Sequence, residues 1–312
     1  MFFYYFYFIT MKIIYGFIIF CIVLFIYLHI TFHLKISNDL EIYEIDQVCK
    51  QKMEDIFDMR QPVLLDNDED IERIVKHTNV NNLLELYPVF EFKVRNKKDK
   101  QTIYLPLSLR LTKKLLEEDK ESIYFSENNI DFLKETGVIK NIQYNDSFYR
   151  PNLVSNCNYD ILFGSKDTTT PFRYEINYRN FFIVTQGSVK IKLSPPSSVK
   201  YLYPEYDYEN FEFKSPIDPW NVDKKYLFDF EKIKCLEITL VPGKIIYIPA
   251  YWWYSIKYDE NSSITTLSYR TYMNNIAISP YIFLYMLQNQ NIKRNYTKKI
   301  DTTNVEHTSL TE

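Results

Sequence analysis

Three oxygen-bearing side chains, Tyr174, Glu175 and Tyr254, are of types that can ligate a metal ion. Carboxylate and phenolate oxygens bind iron, and a tyrosine-rich site would favour the ferric state. The same tyrosines can instead fill an internal cavity, with their hydroxyl groups hydrogen-bonded inside the protein, as those of buried tyrosines usually are. Residue types alone therefore leave two interpretations open, an unusual metal centre and a filled cavity.

Basic side chains near these positions offer a second chemistry, the binding of anions. Arg173, Arg179, Arg270 and Lys190 would bind a carboxylate or a phosphate if they point into a cleft. The alternation of the surrounding strand predicts that Lys190 points outward into solvent. An ion pair of Arg173 or Arg270 with Glu175 is the plainer alternative to a ligand-binding cleft.

Histidine and cysteine are scarce in this chain. No histidine lies between residues 78 and 306, and none of the four cysteines forms a CxxC pair, which argues against a zinc knuckle or a redox dithiol. The five glycines are widely separated, so the glycine-rich phosphate loops of nucleotide-binding folds are absent. The net charge of −3 over 312 residues gives no signal for nucleic-acid binding.

Short apolar and alternating segments predict a β-rich domain between residues 159 and 276. Residues 179–196 are interpreted as a β-hairpin with its turn at Gln186-Gly187. Lys244 to Ile248 is typical of a buried strand, which Pro249 ends because proline has no N–H for the ladder. Four large rings follow this corner in Tyr251-Trp-Trp-Tyr254.

Several of these segments together resemble a known family. The resemblance is to the cupin-like, Jumonji-C-type iron and 2-oxoglutarate-dependent hydroxylases, the asparaginyl hydroxylases among them, over residues 41–290. The set also looks like membrane-anchored cupin-like proteins of large DNA viruses. The resemblance to the hydroxylase family implies a mostly β fold with flanking helices, built on a double-stranded β-helix (the cupin or jelly-roll barrel). The motifs that carry it are Asn180-Phe-Phe with Gly187 and Leu193-Ser-Pro-Pro196, Tyr201-Leu-Tyr-Pro204, and Val241-Pro-Gly with Tyr247-Ile-Pro-Ala-Tyr-Trp-Trp253.

The family's chemistry requires a His-x-Asp pair and a distal histidine on Fe(II), with 2-oxoglutarate bound beside the metal. Counted back from Asn180, the pair corresponds to Tyr174 and Ile176, and the distal histidine corresponds to Tyr254. These are the former metal-site positions that the resemblance implies, and none of them is a histidine or an aspartate.

A register shifted by one residue places Arg173 and Glu175 in the His-x-Asp positions, which again supplies no histidine. The family's lysine for the far carboxylate of 2-oxoglutarate corresponds to Val189, and a neighbouring asparagine corresponds to Ser268. Ligands for the metal and for the cosubstrate are therefore missing together. We expect neither iron nor 2-oxoglutarate to bind.

The N-terminus predicts a membrane anchor. Residues 13–34 carry no Asp, Glu, Lys or Arg, and the run is long enough to cross a bilayer. No small-residue cleavage site follows, which favours a signal anchor over a cleaved signal peptide; a buried core helix is the alternative. Either Met1 or Met11 can be the start. His29 and His33, one helical turn apart, are interpreted as an interfacial pair, with metal binding as the alternative.

The predicted organisation is a signal anchor at 1–35, flanking α/β elements at 36–158, the barrel at 159–276, a C-terminal helix at 277–294 and a disordered tail at 295–312.

These observations favour a membrane-anchored, single-pass protein with a non-catalytic cupin-like module for binding or scaffolding. Its expected cleft contains Arg173, Glu175, Asn180 and Arg270. The alternatives are an atypical metal-dependent oxygenase and a viral membrane structural protein. The expected partners are a viral or host membrane, an unknown protein or small molecule, and a second copy of the chain through the helix at 278–287.

Overall fold

The computed structural model describes residues 2–46, 49–66, 69–99 and 103–291. The predicted disordered tail 295–312 lies outside the described residues. The α-helices are α1 (Phe2–His33), α2 (Lys50–Phe57), α3 (Glu69–Thr78), α4 (Val80–Leu86), α5 (Leu109–Glu118), α6 (Ile130–Glu135), α7 (Val138–Asn145), α8 (Leu227–Phe230), α9 (Tyr272–Ala277) and α10 (Ser279–Asn291).

The strands form two sheets. They are β1 (Tyr43–Ile45), β2 (Val63–Leu65), β3 (Glu91–Asn96), β4 (Tyr104–Ser108), β5 (Tyr124–Ser126), β6 (Val154–Gly164), β7 (Arg173–Tyr174), β8 (Arg179–Gln186), β9 (Val189–Ser194), β10 (Glu205–Asp207), β11 (Glu212–Lys214), β12 (Leu236–Leu240), β13 (Ile245–Ile248), β14 (Trp253–Tyr258) and β15 (Ser263–Thr271). The larger sheet has the order β1-β2-β13-β8-β15-β6-β5-β3-β4, and the smaller has the order β10-β11-β7-β14-β9-β12.

The predicted hairpin over residues 179–196 is wrong in its pairing, although both of its strands and its turn are present. Strand β8 pairs with β13 and β15 in the larger sheet, whereas β9 pairs with β12 and β14 in the smaller one. Gly187, with a φ of 65°, makes the turn between them, and a Cβ there would lie 2.8 Å from the Cα of Ser262. The turn carries the chain from one sheet to the other, because each strand has an apolar face to bury against the opposite sheet.

An apolar core fills part of the space between the sheets. Phe182 and Val184 of β8 belong to the same buried cluster as Val189, Ile191 and Leu193 of β9. The shared face of the β9 residues follows the alternation predicted from the sequence. The two sheets therefore enclose a common interior.

The outer face of the larger sheet packs against helices. Phe181 and Ile183, which alternate with the inward residues of β8, join a second buried cluster with Met53 and Phe57 of α2 and Ile74 of α3. Strands from the flanking region 36–158 extend this sheet, because β2 pairs with β13 and β5 pairs with β6. The flanking elements and the barrel region thus form one mostly β structure.

The N-terminal helix is apolar and exposed. Its segment Thr10–His33 has a mean hydropathy of 2.7, and none of the most apolar stretch is buried. Length and composition suffice to span a membrane, and a signal sequence meets the same criteria. At its C-terminal end, the His33 Nε2 lies 3.2 Å from the Oγ1 of Thr271, and the Nδ1 lies 2.8 Å from the carbonyl oxygen of His29. Both ring nitrogens of His33 have protein partners, which does not support a metal site shared with His29.

Candidate functional site

Three side chains meet inside the mouth of the two-sheet structure. Arg173 of β7 is paired in register with Tyr254 of β14, so the two side chains share a sheet face. Glu175 follows two residues after Arg173 and points the same way. The Arg173 Nε donates to the Tyr254 hydroxyl at 3.3 Å, and that hydroxyl donates to the Glu175 Oε1 at 3.0 Å. Tyr254 is therefore hydrogen-bonded on both sides.

Tyr174 and Ile176 do not reach this group. Their side chains alternate with Arg173 and Glu175 and enter a different buried cluster, in which Tyr174 stacks on Phe213 with ring centroids 5.2 Å apart. The positions beside Tyr254 are thus filled one residue earlier than the count from Asn180 predicts. The shifted register, Arg173 and Glu175, is the one that faces the interior.

Two arginines and two glutamates form a buried ion-pair network next to Tyr254. Arg173 Nη2 lies 2.7 Å from Glu127 Oε2, and Arg173 Nη1 lies 3.6 Å from Glu212 Oε1. Arg95, only 2% exposed, lies 2.8 Å from Glu127 and 2.7 Å from Glu212. Each carboxylate bridges the two guanidinium groups, which is the geometry that buried charges need. We call these four residues the arginine–glutamate network.

The charges of the network fix its protonation. Burial works to raise the pKa of Glu212, but the hydrogen bond from Arg95 and the charges of both arginines outweigh burial and lower that pKa to about 2. The pKa of Glu127 is also lowered, because Arg173 and Arg95 outweigh the effect of burial. The pKa of Arg173 is raised despite its burial, chiefly by Glu127. All four groups are therefore ionised at neutral pH.

These residues do not fit a catalytic metal. A guanidinium group has five donors and no acceptor, so Arg173 cannot ligate a cation and instead places a fixed positive charge at the site. Burial raises the pKa of Tyr254, which keeps its phenol protonated and disfavours a phenolate ligand. Within the described ranges, no three His, Cys, Asp or Glu residues are grouped to hold a metal ion.

A polar chain leads from Glu175 to the outer part of the mouth. The Nδ2 of Asn177 donates to the Glu175 Oε2 at 3.3 Å and to the Asn180 Oδ1 at 3.2 Å. Ser268 donates to the same Asn180 oxygen at 3.0 Å. Arg270 donates through Nε to the Asn177 Oδ1 at 2.6 Å. The four predicted cleft residues, Arg173, Glu175, Asn180 and Arg270, are thus brought together.

Arg270 differs from Arg173 in its charge partners. Its guanidinium lies over the ring of Phe211, 5.1 Å from the centroid, and no carboxylate in the described part of the chain forms an ion pair with it. Burial lowers the pKa of Arg270, and the charge of Glu175 opposes that effect. Arg270 therefore offers a cation that an incoming group can approach.

A cleft of about 300 Å³ opens beside this chain. Asn156, Asn158 and Asp160 line one wall, on the strand that pairs with the segment carrying Ser268 and Arg270. Burial raises the pKa of Asp160 to about 7, with a smaller contribution from the charge of Glu127, although backbone N–H groups of Asn129 and Asn128 oppose it. The charge of the cleft therefore changes near neutral pH.

Other sequence candidates lie elsewhere. Arg179 is buried and pairs with Glu54 of α2 on the outer face of the sheet. Lys190 is 54% exposed and lies 4.0 Å from Glu237, which agrees with its predicted outward direction. Val189 is buried in the apolar interior. None of the three contributes to the cleft.

Arg95, Glu127 and Glu212 were not anticipated from the sequence. Arg95 is 32 residues from Glu127 and 117 residues from Glu212. The one signal in the sequence was the position of Arg95, a charged residue near the end of an alternating strand. Charged residues are common at such positions on solvated strands, so the signal does not indicate a buried site.

Comparisons with known proteins agree with this architecture. Residues 50–276 match the cupin-like domain family. HSPB1-associated protein 1 of Rattus norvegicus is 30% identical over 95 residues, which are 30% of this chain and 20% of that protein. JmjC domain-containing protein D of Dictyostelium discoideum is 31% identical over 106 residues, 34% of this chain and 23% of that protein. Jumonji C domain-containing protein 5 of Drosophila melanogaster is 28% identical over 99 residues, 32% of this chain and 24% of that protein.

The matched segments span less than a quarter of the length of these curated relatives. The resemblance to viral membrane-anchored proteins stays a prediction. The family match, in contrast, extends over most of the chain and includes the segments that carry Arg173, Glu175 and Tyr254. The chain therefore belongs to the cupin-like domain family and has relatives with JmjC domains.

Proposed function

We propose that this protein is a non-catalytic, polar-ligand-binding member of the cupin-like family, held at a membrane by α1. The observation that carries the proposal is the Arg173 guanidinium, which occupies an inward position beside Tyr254 and is paired with Glu127 and Glu212. We assign the former metal positions to Arg173, Glu175 and Tyr254. Alternation of consecutive strands between two sheets supports a double-stranded β-helix as the finer fold.

The network replaces the role that a metal would have in organising the mouth. A bound cation neutralises clustered carboxylates, and here two guanidinium groups do so. The replacement removes open coordination positions, because arginine has no lone pair to share. A cosubstrate that chelates a metal would find no partner at this site.

The cleft favours a ligand with an acidic group and a hydrogen-bond donor. Arg270 would bind a carboxylate, and Glu175 would accept from an amine or an amide N–H. Asn156, Asn158 and Asn177 add amide donors and acceptors of the kind that recognise peptide groups. A volume of about 300 Å³ lies at the lower end for ligand pockets. An amino acid or a short peptide segment is the ligand class we propose.

Metal and cosubstrate binding test the non-catalytic part of the proposal. The full chain, purified in detergent, should contain no stoichiometric iron, manganese or zinc and should not turn over 2-oxoglutarate. Stoichiometric iron together with turnover would overturn the proposal.

Two triple variants test which residues occupy the former metal positions. Arg173→His, Glu175→Asp and Tyr254→His combined should produce measurable Fe(II) or Co(II) binding, since the three side chains converge. The matched set Tyr174→His, Ile176→Asp and Tyr254→His should not, because Tyr174 and Ile176 face another cluster. Metal binding by the second set alone would contradict our assignment.

Ligand binding is tested by thermal shift with free amino acids and dipeptides. A ligand that raises the melting temperature of the unmodified protein should lose its effect with Arg270→Gln. In the Arg73→Gln variant, which changes an exposed arginine outside the cleft, the ligand should still raise the melting temperature. Equal shifts in both variants would place the ligand elsewhere.

A further inference from the structure

We propose that the exposed apolar residues around the end of α1 form a second membrane contact, which lies on the lipid surface beside the anchor. This inference rests on the proposed membrane anchoring by α1. We define the lipid-facing patch as Leu153, Tyr272, Ile276, Phe283, Met286 and Leu287.

The position of α9 relates the patch to the anchor. His33, at the end of α1, contacts Thr271, which is the residue before α9. The Thr271 Oγ1 also accepts from the backbone N–H of Asn274 at 3.1 Å and so caps α9. Helix α9 therefore begins where α1 would leave a bilayer, and its first residue, Tyr272, is at that level.

Residues next to the contact between His33 and Thr271 are apolar and exposed. Tyr272 is 62% exposed and Ile276, one helical turn further, is 39% exposed. The backbone N–H of Tyr272 donates to the carbonyl of Leu153 at 3.2 Å, and Leu153 is 75% exposed. Tyrosine at such a level is typical of the aromatic belt at a membrane interface.

Helix α10 continues the patch. Tyr281 and Ile282 pack on the buried cluster around Phe213. Phe283 and Met286, in contrast, are 60% and 54% exposed. The helix contains no charged residue. Exposed apolar side chains on an uncharged helix of this kind are typical of a contact with another molecule or with lipid.

Charge favours an anionic lipid surface as the partner of the patch. Lys293, Arg294, Lys298 and Lys299 follow α10 in the sequence, and no acidic residue lies between positions 292 and 300. Basic residues after an interfacial helix are attracted to anionic headgroups.

Fluorescence quenching in bilayers tests the proposal. The full chain would be reconstituted in liposomes that contain an anionic lipid, with Cys21, Cys49, Cys157 and Cys235 replaced by alanine. Phe283→Cys and Met286→Cys would each carry an environment-sensitive fluorophore. Val89→Cys, at an apolar residue that is 76% exposed outside the patch, is the control. Lipids with brominated acyl chains should quench the two patch probes several-fold more than the control probe.

Carbonate extraction of the same liposomes reports on the anchor separately. Patch quenching in a protein that resists extraction supports the proposal, whereas patch quenching in a protein that is extracted overturns the anchor on which the proposal rests. Resistance to extraction without patch quenching overturns the patch and leaves the anchor in place. Disulfide formation between two copies at position 286 without quenching assigns the patch to a second copy and also overturns the proposal.

Slower amide-hydrogen exchange over residues 279–291 in liposomes than in detergent gives the same test without substitutions. Equal exchange in liposomes and in detergent counts against the patch.

Discussion

Tyr254 and Tyr258 lie four residues apart on the same face of β14, and both are almost fully buried between the sheets. The Tyr254 hydroxyl has Arg173 and Glu175 as partners. The Tyr258 hydroxyl has none among the described residues. The comparison separates the interior into a polar half, built on the arginine–glutamate network, and an apolar half, built on residues such as Val189 and Ile191.

The two halves differ in what their stability depends on. The apolar half is packed as any core is, and its stability depends on shape. The polar half depends on charge balance, because each buried ion is tolerated only while its partners remain. The predicted effects of substitution therefore differ in kind between the halves.

The largest effect should follow from removing the central cation. Arg173→Met leaves Glu127 and Glu212 with a reduced share of positive charge in a buried site, and we expect a loss of about 3–5 kcal/mol in the free energy of unfolding. Denaturant unfolding in detergent measures it. Arg73→Met, at an arginine that is 54% exposed and 3.6 Å from Glu69, should cost less than about 0.5 kcal/mol. A loss below about 1 kcal/mol for Arg173→Met would remove the distinction between the halves.

The apolar half should respond to added volume. A Cβ at Gly164 would lie 2.5 Å from the Tyr258 ring, so Gly164→Ala should cost about 1–3 kcal/mol through overpacking. The cost should shrink when Tyr258→Ala is present, because the ring is then absent. A double-mutant cycle by denaturant unfolding measures this coupling, and additive effects would contradict it.

The two tyrosines give the sharpest test of the comparison. Tyr254→Phe removes the donor to the Glu175 Oε1, so that Asn177, which donates to the Oε2, is the remaining donor described for this carboxyl group, and the substitution should cost about 1–3 kcal/mol. Tyr258→Phe removes a buried hydroxyl that has no described partner, so it should change stability by less than about 0.5 kcal/mol or increase it. Thermal unfolding of the two variants side by side is sufficient. Equal costs would show that the hydroxyl groups do not distinguish the halves.

The smallest effect concerns pH and lies within the polar half. The pKa of Asp160, about 7, is above its ordinary value of 3.8. The folded state therefore holds that proton more tightly, and the free energy of unfolding should fall as the pH rises from about 4 to about 7, on the order of 1 kcal/mol for this half-buried group. Glu212 acts oppositely, because its pKa of about 2 lies below 4.5 and its stabilisation is lost as the pH falls through that window.

Unfolding measured from pH 3 to pH 8 separates these two carboxyl groups. Asp160→Asn should abolish the decrease between about pH 4 and pH 7 and keep the loss at lower pH. An unchanged decrease in that variant would assign the titration to another group, of which Glu175, whose pKa burial also raises, is the first candidate.

Local sequence features were sufficient to predict several strands of this protein and its family. Short apolar and alternating segments identified the strands at 179–186 and 189–194. The motifs around Asn180 and Trp253 identified the family, which the match over residues 50–276 shows. Turn and strand patterns are read from neighbouring residues, so they survive in a single sequence.

The tertiary structure decided what faces the interior. Strand β7 has only two residues, and the count back from Asn180 across the irregular segment differs by one position from the residues that face Tyr254, which exchanges the two faces of a strand. The sequence indicated the turn at Gly187, but it did not indicate which sheet each of the strands β8 and β9 joins. Arg173 acquires its role from Glu127 and Glu212, which lie far from it in sequence. Charge neutralisation in a buried site depends on distances in space, and the order of residues along the chain does not contain them.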